Sequence, residues 1–223
     1  MLSFTLFGRV VLAKNGVPLS QFRSQKEAAL LIYLAHTGQA HSRAFLAELF
    51  WESSSTKQSL NNLRTAVSRL RKQVDEALLV TRQEVGLTAE NRQAVDSVLL
   101  LQTLAQVARV DTAVQATTLR QALDTYRGEF LADFVLNDAP QFDNWVAQTR
   151  AHIHHQVIAA YHKLGQYTLA SHTSHDLAQG FDDAHHWLQA GPLNEMAHTL
   201  LIRLHLKAGN TPEAIAHYQH FVD

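Results

Sequence analysis

Apolar and polar residues alternate at the start of the chain. From Leu2 to Leu6 every second residue is apolar, which is the period of a strand with one buried face. The pair Asn15-Gly16, a little further on, is a strong signal for a hairpin turn. We therefore predict a small antiparallel sheet at the N-terminus.

Helical spacing replaces this alternation after the first strands. Ser24 and Glu27 fit a capping box ahead of a long apolar run, which predicts the start of a first helix. Ser42 predicts the N-cap of a short second helix, and the serine-rich loop 53–56 precedes a third. Two apolar segments on either side of Arg82-Gln83-Glu84 then predict a terminal hairpin.

Residues from Asp96 onward show helical spacing throughout. The predicted helices cover 97–108, 112–127, 140–164, 167–178, 182–190, 194–208 and 212–222. Gly165, Gly180 and Gly209 are among the predicted breaks between them. Gly165 and Gly209 also mark a weak repeat, whose 44-residue spacing exceeds the roughly 34 residues of a tetratricopeptide repeat (TPR). We expect the extra residues of this repeat within 178–187.

These patterns predict a mainly α protein with a small β component. Residues 1–92 are expected to form a winged helix of the α+β class. Residues 96–223 are expected to form an all-α, TPR-like, right-handed array of helix pairs, because short loops join helices with apolar faces. The chain ends within the expected last helix of a pair, which fits a longer natural protein.

The third predicted helix, from Lys57 to about Val74, has two unlike faces. Its apolar positions recur at spacings of three and four and predict one buried stripe, formed by Leu60, Leu63, Val67, Leu70 and Val74. From Lys57 to Gln73 there are five basic residues and no acid. A solvated helix usually mixes charges, because pairs of opposite sign four residues apart stabilise it. The acid-free surface therefore indicates a polyanionic partner.

Duplex DNA is a partner that would explain this surface. A helix fits the major groove, where Arg can read guanine and Asn can read adenine, and its first half usually reaches the bases. Base contacts are expected from Asn61, Asn62, Arg64, Thr65 and Ser68. Phosphate contacts are expected from Arg69, Arg71 and Lys72. The predicted DNA-binding set also includes Lys57 and, as a wing at the hairpin tip, Arg82 and Gln83.

The distribution of charge agrees with this prediction but leaves an alternative open. Residues 1–92 contain 12 Lys and Arg against 7 Asp and Glu, whereas residues 93–223 contain 7 against 13. A basic half suits a polyanion such as DNA. The same basic run also fits an ordinary solvated face, or a face that docks on the acidic half of the chain.

The chain resembles a known family of regulators. The residues that carry the resemblance are Leu6-Phe7-Gly8, Ser24–Leu31, Leu46–Trp51, Leu60–Lys72, Thr81-Arg82, Tyr126–Leu131, Trp145 and Arg150. The N-terminal part resembles the winged-helix domain of response-regulator effectors. It resembles more closely the antibiotic regulatory proteins, in which that domain precedes a bacterial transcriptional activator domain. Gly86-Leu87 departs from the Gly-Tyr pair that the family usually has in its wing.

This resemblance implies a transcription regulator without catalytic activity. Its expected partners are double-stranded promoter DNA, a second copy of the chain, since the family often binds repeated sites as a dimer, and RNA polymerase, which the loop Glu52–Thr56 would face. No cofactor is expected. A competing hypothesis is a non-catalytic TPR-type scaffold whose winged helix binds protein, and a weaker one is a small-molecule receptor in the helical half. A steep loss of affinity with salt would distinguish the DNA binder from the scaffold.

Other kinds of site find little support in the sequence. The absence of Cys excludes disulfides, Cys-ligated zinc and thiol nucleophiles, and it suits a reducing cytoplasm. Twelve of the 14 His follow residue 150, but pairs such as His172 and His175 have no clear third ligand, so no metal site is expected. The acidic pair Asp182-Asp183 is interpreted as helix capping rather than as catalytic carboxylates. The N-terminus does not fit a signal peptide, and no apolar run reaches the roughly 18 residues of a membrane span.

Overall fold

The computed structural model describes residues 1–92 and 94–222. Contacts divide the chain into two compact units. Unit 1 consists of Met1–Leu100 and Thr125–Ala151, and unit 2 consists of the remaining described residues. The predicted domain boundaries 1–92 and 96–223 follow the order of motifs in the sequence. They stay a prediction, because the two units are defined by contacts and unit 1 combines two separate segments of the chain.

Short strands of unit 1 form two antiparallel sheets of three strands each. The strands are β1 (Leu2–Thr5), β2 (Val11–Lys14), β3 (Val17–Pro18), β4 (His41–Ser42), β5 (Leu78–Val80) and β6 (Glu84–Leu87). The first sheet has the order β1-β2-β3, and the second has the order β4-β6-β5. Asn15 and Gly16 both adopt positive φ between β2 and β3, so the predicted hairpin turn is confirmed.

Three helices follow the first sheet along the chain, with β4 between the first two of them, in the order typical of a winged helix. They are α1 (Gln25–Thr37), α2 (Arg43–Trp51) and α3 (Thr56–Val74). The hydroxyl of Ser42 accepts a hydrogen bond from the Phe45 amide, which confirms Ser42 as the N-cap of α2. Strands β5 and β6 form the terminal hairpin that was predicted, and this hairpin is the wing.

The capping box predicted at the start of α1 is wrong. Ser24 is the N-cap residue, but its side chain makes no capping hydrogen bond. The Glu27 carboxylate is buried, and it accepts hydrogen bonds from the Arg23 amide and from the Arg69 guanidinium. The pattern S-x-x-E therefore does not mark a capping box at this position, because the carboxylate of Glu27 forms a tertiary contact with α3.

The second segment of unit 1 packs against the winged helix. Leu6 and Gly8 exchange backbone hydrogen bonds with Leu131 and Glu129. The ring of Phe142 lies 5.2 Å from that of Phe50 in α2. Trp145 and Phe130 add further rings against α1, with Trp145 4.8 Å from Tyr33 and Phe130 4.9 Å from His36. The core beneath the winged helix is thus completed by rings that lie about a hundred positions in sequence from the rings they contact.

The rest of the described chain is helical. The helices are α4 (Asp96–Gln106), α5 (Ala113–Leu123), α6 (Pro140–Ala170), α7 (Ser174–Ala190), α8 (Glu195–Lys207) and α9 (Thr211–Val222). Helix α6 contributes to both units, because its residues up to Ala151 belong to unit 1. In unit 2, α7 packs on α8 and α8 packs on α9. The fold is therefore mainly α with small sheets, as predicted. None of the described helices has both the length and the apolar character that crossing a bilayer requires.

Two of the predicted helix breaks are wrong. Helix α6 runs through Gly165 and α7 runs through Gly180, whereas Gly209 does lie in the turn between α8 and α9 with a φ of 79°. A Cβ at Gly165 would lie 2.7 Å from Leu200, and one at Gly180 would lie 2.3 Å from Thr168. These two glycines do not end their helices. They allow neighbouring helices to pack closely against them. The proposed repeat fails for the same reason, since Gly165 and Gly209 are not in equivalent turns.

We expect Gly180→Ala to lower the free energy of unfolding by about 1–3 kcal/mol, the usual cost of overpacking. This should hold although alanine favours a helix over glycine by about 1 kcal/mol, because the new methyl would meet the short, buried side chain of Thr168. Gly165→Ala is the matched control and should cost less, since its methyl would meet the flexible end of Leu200. Urea unfolding checks both variants, and a Gly180→Ala protein as stable as wild type would contradict the prediction.

A buried ion pair also holds unit 2 together. Arg120 in α5 donates to both carboxylate oxygens of Asp183 in α7, at 2.8 to 3.1 Å. Burial raises the pKa of Asp183, and the Arg120 guanidinium opposes that shift. Arg120 also donates to Gln179. Asp183 is therefore a partner in a structural pair and not a helix cap.

Candidate nucleic-acid interface

Helix α3 presents a narrow apolar side to the interior. Its N-terminus is capped by Ser55, whose hydroxyl accepts from the Gln58 amide. The buried residues recur at spacings of three and four and are Ser59, Leu63, Ala66, Val67, Leu70 and Val74. Leu60, predicted to belong to this stripe, is 37% exposed. The small residues Ser59 and Ala66 lie inward instead, where they allow α3 to lie close to its neighbours.

The outer side of α3 is basic and polar. Lys57, Asn61, Arg64, Ser68 and Arg71 are spaced by four, three, four and three residues, so they share one face of the helix. All five are exposed. Because no acid occurs between Lys57 and Gln73, this face carries only positive charge. It is referred to below as the basic face.

The predicted DNA-binding residues are accessible in the structure. Ten are exposed, namely Lys57, Asn61, Arg64, Thr65, Ser68, Arg69, Arg71, Lys72, Arg82 and Gln83. Asn62 is half-buried, and its side-chain oxygen accepts from the Gln58 amide group at 2.9 Å. The Thr65 hydroxyl donates to the backbone carbonyl of Asn61, as threonine often does within a helix. Arg82 and Gln83 lie in the turn of the wing, away from α3 in sequence.

An open groove of about 790 Å³ separates α3 from the wing. Its lining includes Arg64, Ser68, Arg71 and Lys72 from α3, Leu78 and Val80 from β5, and the acids Asp75 and Glu76 from the turn that follows α3. The turn of the wing is held by Thr81, whose hydroxyl accepts from the amides of Gln83 and Glu84. The basic face therefore continues into a concave surface with cations along one wall.

Arg43 is a member of this surface that the sequence analysis missed. It lines the same groove, and its guanidinium donates to the carbonyl of Thr81 at 3.4 Å. The Arg43 amide donates to the Gln83 carbonyl at 2.8 Å, which ties α2 to the wing. A cation in the first turn of a helix is disfavoured by the helix dipole. That unusual placement is the signal in the sequence from which Arg43 could have been found.

Arg69 differs from the other cations of α3 because it already has a partner. Its guanidinium lies 3.2 Å from the carboxylate of Glu27, which is 1% exposed, whereas the Arg69 side chain is 50% exposed. A buried carboxylate is costly unless it is paired and hydrogen-bonded. Arg69 therefore positions α3 against α1, and it was predicted as a phosphate contact on the basis of its charge alone.

We expect Arg69→Ala to lower the free energy of unfolding by about 1–3 kcal/mol, because it leaves the buried Glu27 carboxylate short of a donor. The double variant Glu27→Leu with Arg69→Leu should recover part of this loss, since replacing both partners of a buried pair by apolar groups is often neutral. A double-mutant cycle in urea, built from the single variants Glu27→Leu and Arg69→Leu and the double variant, measures the coupling between the two residues. Strictly additive effects of the two single substitutions would show that the pair does not position α3.

The charge of this region near neutral pH comes from arginine and lysine. His41 in β4 is the histidine beside the wing, and its ring stacks on Phe45 with centroids 5.5 Å apart. Burial lowers the pKa of His41, and Glu84 opposes this shift. His41 is thus shifted toward its neutral form. Among the described residues, no group of three or more His, Asp or Glu could hold a metal ion.

Two family models match the chain. Residues 22–88 match the model described as transcriptional regulatory protein, C terminal. Residues 95–223 match the bacterial transcriptional activator domain, and this match covers more than half of the chain. The first match contains the basic face and the wing, and the second contains the helices from α4 onward.

The chain is also similar to two regulatory proteins and to one solved structure. The regulatory protein AfsR of Streptomyces griseus is 26% identical over 97% of this chain, and AfsR of Streptomyces coelicolor is 31% identical over 59%. The chain spans 22% and 14% of the lengths of these relatives, respectively. EmbR of Mycobacterium tuberculosis, solved in complex with a low-affinity phosphopeptide, shares the fold with a TM-score of 0.73 at 19% identity, over 99% of this chain and 58% of EmbR. The chain thus belongs to the bacterial transcriptional activator domain family, and its N-terminal part matches the C-terminal domain of transcriptional regulatory proteins.

Proposed function

We propose that the chain binds promoter DNA by placing α3 in the major groove. The observation that carries this proposal is the basic face, which is exposed along several turns and has no acid. An α-helix fits the major groove, and each cation at a phosphate releases counterions from the duplex. Membership in a family of transcriptional regulators supports the same function.

The positions on α3 suggest how the contacts are divided. Asn61, Arg64 and Ser68 are in the first two-thirds of the helix and face outward, which suits contact with base edges. Arg71 and Lys72 follow near its end and suit phosphates. Arg43 lines the same groove, and its contact with the wing suits a phosphate bound near the wing.

The wing and the half-buried residues have supporting roles in this proposal. Arg82 and Gln83 are exposed at the tip of the wing and would contact the backbone or the minor groove. Lys57 would contact the backbone at the start of α3. Asn62 and Thr65 would contact DNA through the side-chain atoms that are not used in hydrogen bonds within α3. Arg69 would act mainly by orienting α3.

Further parts of the proposal rest on the family. The turn between α2 and α3, residues 52–55, is mostly exposed and would be the surface that RNA polymerase contacts. A second copy of the chain would bind a repeated site, as a symmetric dimer does on paired half-sites. The protein would regulate transcription in the cytoplasm without catalysing a reaction.

Selection from a pool of random duplexes tests the proposal. The full chain should enrich one sequence, and that duplex should bind more tightly than a shuffled duplex of the same composition. A typical specific site is preferred by a factor of about 10³ or more over other DNA. If no sequence is enriched and the chain instead binds protein partners with little dependence on salt, the winged helix belongs to an interaction scaffold and the proposal is wrong.

A further inference from the structure

Histidines gather in unit 2 where α8 meets α9. Nδ1 of His198 lies 3.0 Å from Nε2 of His217, which joins the two helices by a hydrogen bond between rings. Nε2 of His198 lies 2.9 Å from the carbonyl oxygen of Pro192. The ring of Phe221 stacks on His198 with centroids 4.1 Å apart. Both nitrogens of His198 are therefore used, and the ring is held from two sides.

These contacts determine where the protons lie. A carbonyl oxygen can only accept, so His198 carries its proton on Nε2, and its Nδ1 accepts from the Nε2–H of His217. If one ring gains a proton, the bond survives provided that the other ring becomes the acceptor. If both rings are protonated, two N–H groups face each other and the bond is lost. The pair can hold one added proton, but not two, while the helices stay in contact.

The surroundings of His217 oppose protonation further. Burial is the largest cause that lowers the pKa of His217. Nearby histidines of α7, α8 and α9 lower it further, namely His198, His205, His220 and His185. No ion pair found among the described residues includes a histidine. Helices α8 and α9 also carry other ionisable residues, namely Glu195, Arg203, Lys207, Glu213 and Tyr218. The charge interactions that shift the pKa of His217 nevertheless come from histidines.

We propose that the His198–His217 contact is a pH-sensitive latch, which holds α9 on α8 when at least one ring is neutral and releases α9 when both rings are protonated. The ordinary pKa of histidine is about 6.5, and that of His217 is lower in the folded chain. The stability from this contact is therefore complete above about pH 6.5 and is lost as the pH falls through the folded pKa.

Hydrogen exchange of the full chain at pH 8 and pH 5 tests the latch. After correction for intrinsic exchange rates, protection of the α9 amides should fall about two- to tenfold more than that of the α1 amides, which is the loss expected when the net contribution of one hydrogen bond disappears. His217→Gln should keep the donor to His198 without titrating, so its α9 protection should change much less with pH. His175→Gln is the matched control, since His175 is exposed on α7, and it should behave as wild type.

Ring titrations in the wild-type chain provide a second measurement that does not depend on a variant folding. His217 should titrate below the ordinary histidine pKa of about 6.5, because burial lowers its pKa. Two results overturn the latch: titration of His217 at or above the ordinary histidine pKa, or loss of α9 protection at pH 5 that His217→Gln shares in full.

Discussion

Arg64→Ala should weaken binding to the selected duplex by about 10- to 100-fold, or about 1–3 kcal/mol, and should relax the preference at one base pair. Arg64 is exposed at the centre of the basic face and lines the groove beside the wing. An arginine that bonds to both acceptors of a guanine is the commonest specific contact in the major groove. Fluorescence anisotropy on the selected duplex and on its single-base variants measures both effects.

The matched control for this substitution is Arg9→Ala. Arg9 is also an exposed arginine of unit 1, so its removal changes the net charge by the same amount, but it is remote in sequence from α3 and does not line the groove. Its loss should alter affinity little. Arg69→Ala is unsuitable for this comparison, because its effect on folding through Glu27 would be confused with an effect on binding. Equal losses for Arg64→Ala and Arg9→Ala would mean that only overall charge matters.

Phe142→Ala should lower the free energy of unfolding by about 3–5 kcal/mol, which is the usual cost of emptying the site of a buried phenylalanine. Phe142 is fully buried, and its ring packs on Phe50, Phe134 and Trp145. Since Phe50 belongs to α2, the loss should also reach the winged helix. Guanidinium unfolding measures the change in stability, and hydrogen exchange of the α1 amides shows whether the winged helix shares it.

Val135→Ala is the control, since Val135 is in the same segment but 65% exposed, and it should change stability by no more than about 0.5 kcal/mol. A fragment that ends at residue 92 lacks every ring of this segment and should be less stable than the full chain. If Phe142→Ala leaves α1 protection unchanged, the segment 125–151 does not complete the core of the winged helix.

Local patterns in the sequence predicted the elements that carry the site. The spacing of apolar residues and the missing acids identified α3, and the Asn-Gly pair identified the first turn. Both signals act within a few residues, where periodicity and turn chemistry are strongest. The cap at Ser42 was predictable for the same reason.

What the sequence could not show depends on distant partners. Glu27 looked like part of a capping box until its partner Arg69 was seen 42 positions away. Gly165 and Gly180 looked like helix ends, because a breaker and a close-packing glycine have the same local appearance. The role of Phe142 depended in the same way on Phe50. In each case long-range packing decided between two local interpretations.

The dependence of DNA affinity on salt tests the central claim most directly. Binding of the full chain to the selected duplex should weaken as salt rises, with a slope of log K against log salt of about −4 to −5 if five cations contact phosphates. Lys72→Ala should reduce the steepness of this slope by about one while keeping the sequence preference. An affinity that is independent of salt, and unchanged by Lys72→Ala, would contradict the placement of α3 in the groove of a duplex.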